Sequence, residues 1–169
     1  MALSTVLALS AFGELSAAAG IGTARVPAQL SRSASLGSGS GAGQADRLYQ
    51  ARRTLPASAT EDLDLAGALT DALGSAAVFV RVKGLFIAAS KTNTNNVIVG
   101  AAAANAWSTL LNTTGTLTLR PGAAVGALAD VDDATGYAVT AGTGDLLKVA
   151  NSGAGTAVTY DIFIVGASA

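Results

Sequence analysis

The sequence predicts an all-β protein, a jelly-roll-like sandwich of two sheets and about eight strands behind an extended N-terminal arm. Three observations carry that expectation. From residue 47 onward, short runs alternate apolar and polar residues with the period of two that a half-buried strand requires. The runs are separated by connections holding Gly, Pro or Asn, the residues tight reversals use. The last run, 158–165 (VTYDIFIV), is apolar on both faces, as a strand inside a sheet would be. Regular short strands with turn signals between them favour a two-sheet sandwich, a jelly roll ahead of an immunoglobulin-like topology.

Taken in order, residues 1–44 are rich in Ala, Ser and Gly and culminate in 31–44 (SRSASLGSGSGAGQ). Such a tract offers little side-chain area to bury and keeps high backbone entropy, so residues 1–44 are expected to be an extended or mobile arm. Within it, 5–9 (TVLAL) suits a short edge strand that Phe12 would anchor. The sandwich is then expected over residues 45–169. Residues 47–55 (RLYQARRTL) end at Pro56, and 59–65 (ATEDLDL) set Leu63 and Leu65 against Asp62 and Asp64. Residues 69–73 suit one helical turn before Gly74. The clearest run sets Val78, Val80 and Val82 against Phe79, Arg81 and Lys83, then passes through Gly84 into Leu85, Phe86 and Ile87; a glycine inside it marks a bulge or bend. Residues 97–100, 114–120, 125–129, 137–140, 146–150 and 158–165 complete the series. Residues 101–111 (AAAANAWSTLL) read as a loop or a single turn plugged by Trp107.

Composition narrows the function classes. Half the residues are hydrophobic, 12% are charged, and the mean hydropathy is +0.48. A surface so poor in charge is easier to keep in solution when neighbouring chains cover part of it, so assembly is expected. The net charge of −1 gives no basic balance for nucleic acid. Its distribution is uneven: residues 1–57 hold Arg25, Arg32, Arg47, Arg52 and Arg53 against Glu14 and Asp46, and the remainder is acidic. These arginines, with Trp107, are the candidate contacts to a partner chain; exposed solvated charge accounts for the same arginines equally well. The apolar run 3–19 lacks a basic leader and is interrupted by Glu14, so neither a cleaved signal nor a membrane span is expected.

With no His and no Cys, the usual nucleophile–base pairs, thiolate metal sites and disulfides lose their members. The carboxylates that remain are poorly placed for catalysis. Asp62 and Asp64 share one face of a strand, which lacks the asymmetry a glycosidase pair needs. Asp130, Asp132 and Asp133 (DVDD) have the oxygens for calcium without the spacing of a calcium loop, and an acidic turn explains them. The glycine run 37–43 has neither the strand and helix nor the Lys-Ser/Thr pair of a phosphate loop. No enzyme activity, cofactor or metal is expected.

Five segments carry a resemblance: 42–54 (AGQADRLYQARRT), 62–71 (DLDLAGALTD), 93–100 (NTNNVIVG), 120–122 (RPG) and 136–166 (GYAVTAGTGDLLKVANSGAGTAVTYDIFIVG). Together they resemble a family of small virion structural proteins of tailed bacteriophages. The resemblance implies a capsid decoration, or cement, protein made in the host cytoplasm, with a jelly-roll body that clamps the capsid exterior. Its implied partners are the phage major capsid protein and further copies of itself in a dimer or trimer. It transfers no contact residue. A fibre or baseplate β-module that binds a receptor or glycan through an aromatic-lined groove remains the alternative.

Overall fold

The computed structural model describes residues 2–67 and 69–169. Among the described residues twelve strands form in chain order and there is no helix. They are β1 (Thr5–Ala19), β2 (Gly22–Ser38), β3 (Gln44–Ala45), β4 (Arg47–Leu55), β5 (Thr60–Asp64), β6 (Arg81–Ala89), β7 (Val97–Gly100), β8 (Thr116–Leu119), β9 (Ala124–Leu128), β10 (Tyr137–Ala138), β11 (Leu146–Asn151) and β12 (Val158–Ala167).

Eight of these strands build the body, and their pairing is nested. β4 pairs with β12, β5 with β11, β6 with β9 and β7 with β8, all antiparallel. The chain therefore behaves as one long hairpin rolled up, first strand against last and innermost pair at the turn. Rolling brings β6 beside β12 and β7 beside β11, giving the orders β4-β12-β6-β9 and β5-β11-β7-β8. That is the two-sheet jelly roll expected of the sequence. The strands beyond eight are the two-residue β3 and β10 and the two long strands β1 and β2.

The core lies between the sheets. β12 is central and sends Val158, Tyr160, Ile162 and Ile164 inward, where they meet Leu85 and Ile87 of β6, Leu147 and Val149 of β11, and Val97 and Val99 of β7. Trp107 is only 4% exposed; its Nε1 donates to the Ala138 carbonyl at 2.9 Å, and its ring meets Tyr137 edge-on at 6.3 Å. No helical turn forms at residues 69–73. The Asp71 carboxylate instead accepts from the backbone N–H groups of Leu73 and Ser75 and closes a tight turn.

The bulge expected beside Gly84 is present. Val165 pairs with Gly84 but Gly166 pairs with Val82, so Lys83 is the extra residue in β6. The slip resets the alternation. Val82, Leu85 and Ile87 are the inward residues of β6; Val80, just before the strand begins at Arg81, is exposed while Phe79 is buried, which corrects the grouping of Val80 with Val82. Lys83 is fully buried, and its Nζ donates to the Asp133 carbonyl; burial pushes its ammonium below the ordinary lysine value.

The N-terminal arm is extended, and it is paired with itself. β1 and β2 form an antiparallel ribbon of 15 paired positions from Thr5–Leu36 to Ala19–Gly22. Gly20, at φ +57°, takes the first place of its two-residue turn, a conformation that glycine adopts without strain. Only the base of the ribbon rests on the body. Leu7 and Leu36 bury with Ala45 and Val165 in a second apolar cluster on the outer face of the β4-β12-β6-β9 sheet.

Candidate functional site

Two surfaces stand out: the free length of the ribbon and the outer sheet face beside its base. Directly paired residues of an antiparallel ladder share a face, so the register sorts the ribbon into two sides. One side carries Leu7, Leu9, Ala11, Leu15 and Ala17 opposite Ala34, Arg32, Leu30, Val26 and Ala24. The other carries Ser10, Phe12, Glu14 and Ser16 opposite Ser31, Gln29, Pro27 and Arg25. Thus one face is nearly continuous hydrocarbon and the other is mostly polar. Past Arg32 the apolar side has nothing on it: Leu15, Val26 and Leu30 are 76%, 61% and 65% exposed. Phe12, expected to be an anchor, lies exposed on the polar side because the ladder turns it away from the body.

The outer sheet face is organised in rows across four strands. Leu48, Val165, Gly84 and Leu128 make the row under the ribbon base. Gln50, Phe163, Phe86 and Gly126 make the next, and Arg52, Asp161, Ala88 and Ala124 the third. The second and third rows floor an open groove of about 640 Å³, with Leu9 of the ribbon on one wall. Phe86 and Phe163 meet edge-to-face in it, with centroids 6.4 Å apart. Arg52 holds Asp161 with two hydrogen bonds of 2.7 and 2.8 Å. The hydrogen bonds from that guanidinium hold the Asp161 carboxyl below the ordinary carboxylate value. Because Arg52 and Asp161 satisfy each other, the groove is chiefly apolar in what it offers a visitor.

The structure does not gather the arginines singled out from sequence into one patch. Arg25 pairs with Glu14 at 2.7 Å on the polar side of the ribbon, while Arg32 lies on its apolar side and donates to the Ser31 carbonyl. Arg47 pairs with Asp46, and Arg52 lies in the groove. Arg53 points to the opposite side of β4 from Arg52 and is half-buried against Glu61. Trp107 is corrected as a contact residue, because its buried ring offers no side-chain surface to a partner.

Arg53 belongs to a polar network at the edge of the core. Its Nε donates to Glu61 Oε2 at 2.7 Å and its Nη1 to the Tyr49 hydroxyl at 3.2 Å, while the Tyr160 hydroxyl donates to Glu61 Oε1 at 2.7 Å. Burial, followed by the bond to Glu61, raises the Tyr160 phenol well above its ordinary value of 10.0. A proton held more tightly by the folded than by the unfolded chain contributes stability that is complete below pH 10 and lost above it. Chemical-denaturation midpoints are therefore expected to fall as pH rises past 10, and Tyr160→Phe should flatten that fall. An unchanged alkaline slope in the variant would remove Tyr160 as its source.

The acidic turn is engaged with its own backbone. Asp130 Oδ1 accepts from Asp132 N, and Asp133 Oδ1 accepts from Thr135 N and Gly136 N at 2.8 and 2.9 Å. Among the described residues, no group of three acidic side chains is arranged to hold a metal ion. The groove and the ribbon faces were missed from sequence; for the ribbon, the alternation on both sides of Gly20 carried the signal.

No family model, curated protein or solved structure matches the chain.

Proposed function

We propose that the protein is a virion structural component that decorates and stabilises the outside of a tailed-phage capsid by non-covalent clamping, with the major capsid protein and other copies of itself as partners. The observation that carries this reading is the ribbon: a paired, amphipathic element extending from a jelly-roll body, with its apolar side uncovered. A chain alone in water gains nothing by displaying Leu15, Val26 and Leu30; a chain in an assembly buries them, at roughly 25 cal/mol per Å² of apolar surface removed from water. The five segments that resemble small phage virion proteins supply the kind of assembly. Weak contacts repeated by symmetry then add up to firm attachment.

The test is to add purified protein to undecorated phage shells, sediment them, and heat them. Co-sedimentation and a higher shell-disruption temperature are expected. Replacing residues 10–31 by an Asn-Gly turn keeps Leu7 and Leu36 in place and should weaken the effect while leaving the body folded. Shells that neither retain the protein nor gain heat resistance would exclude decoration. Phe86 and Phe163, with Gln50 alongside, are the feature favouring the glycan-binding alternative. Selective binding on a glycan array, lost in Phe163→Ala, would establish it.

A further inference from the structure

We infer that the free length of the ribbon seats its apolar side in the outer groove of a second copy of this chain, so that copies are joined by exchanged arms. The inference rests on the reading of the protein as an assembling component and names the occupant of both open surfaces.

The ribbon base already shows what this face packs on. Leu7 lies so closely over Gly84 that a Cβ there would come within 2.5 Å of its Cδ1. Leu9 lies over Gly126 in the same way, at 2.8 Å from Cδ2. Ribbon leucines thus sit over the smallest residues of the outer sheet face, beside Val165 and Phe86. Farther along, the same stripe continues with Leu15, Val26 and Leu30, uncovered. Farther along the sheet, the same kind of floor continues with Ala88 and Ala124, flanked by Phe86 and Phe163, also open. Donor and acceptor are each the continuation of one contact already made within the chain.

The two halves cannot meet within one molecule. The ribbon leaves the sheet beside Leu128 and Asp130, which line a second gap beneath Leu9, Ala11 and Leu30. Beyond that point it is a continuous ladder out to its turn, so the tip reaches its own groove only by breaking backbone pairs. From Ala11 to Ala19 the free length is about 27 Å at the usual rise per strand residue, enough to cross four strands spaced about 4.8 Å apart. Each copy therefore carries one ribbon and one groove, unlike surfaces that close as a reciprocal pair or as a ring.

The absence of cysteine permits a direct test. Leu30→Cys and Ala88→Cys proteins, prepared separately, are mixed at high micromolar concentration and oxidised mildly. A 30–88 disulfide linking the two kinds of chain, identified by peptide mass mapping, is expected. The unmodified protein should sediment as an oligomer at that concentration, and the triple variant Leu15→Ser, Val26→Ser, Leu30→Ser as a 16.4 kDa monomer with unchanged circular dichroism. Ala88→Arg, which blocks the groove and leaves the ribbon intact, should do the same. A monomeric unmodified protein, or 30–30 links in place of 30–88 links, would overturn the exchange. Shell binding by such a monomer would leave the decoration reading standing, so the two failures are separable.

Discussion

Gly166→Ala is expected to cost about 3 kcal/mol, an unusually large penalty for one methyl group. A Cβ at this position would lie 2.1 Å from the Arg81 carbonyl oxygen and 2.9 Å from Cδ1 of Phe79. The oxygen is backbone and belongs to the strand that pairs with Gly166 across the Lys83 bulge, so neither partner yields without opening the ladder. Val165, the next residue, floors the ribbon base, and loosening at Gly166 should carry to Leu7 and Leu36. Urea unfolding measures the cost, and hydrogen exchange at β1 and β2 measures the transmission. Gly13→Ala is the control, since no atom lies within 4 Å of its Cβ position. If the two variants unfold at the same midpoint, the tight approach at the bulge is refuted.

Glu61→Ala should cost nearly as much, by a different mechanism. Glu61 is the shared acceptor of Arg53 and Tyr160, and its removal strands a guanidinium and a hydroxyl at the core edge. Breaking a buried ion pair from one side costs about 3–5 kcal/mol. The Arg53 side chain keeps 38% of its exposure and rehydrates in part, which places the expected loss near 3 kcal/mol. Glu61→Gln retains an acceptor for Tyr160 and should lose about half as much. Combining Glu61→Leu with Arg53→Leu, Tyr49→Phe and Tyr160→Phe removes all four polar ends together and should recover most of the stability. A Glu61→Ala protein as stable as the parent would show that the network contributes nothing net.

Local pattern made much of the body readable. Leu63 and Leu65 announced the inward side of β5, Gly84 announced the bulge, and the doubly apolar 158–165 run announced a central strand; each signal lies within a few residues of what it predicts. The ribbon was obscured because Ala, Ser and Gly dominate its sequence, although Leu7, Leu9, Leu15, Val26 and Leu30 alternate through it. Its stability as a ladder depends on register between residues up to thirty-one apart, which composition does not display. The groove was out of reach for the same reason. Its floor joins Gln50, Phe86, Ala124 and Phe163 from four strands, and Arg52 meets Asp161 across 109 positions of chain. The arginines drew notice as charges; only their partners across the fold show that most are already spoken for.

The place of β12 has a consequence for how the protein is made. The ribbon is synthesised well before Val158–Ala167, yet that later strand is the neighbour both β4 and β6 require, and Val165 is the seat of Leu7 and Leu36. Until that strand emerges, the nascent chain holds a hairpin with nowhere to rest and a sheet lacking its middle strand. Contacts this distant in sequence form slowly, because the intervening chain must be closed before they repay it. On a polysome, where many unfinished copies stand side by side, the ribbons are open to neighbouring chains before their own seat exists.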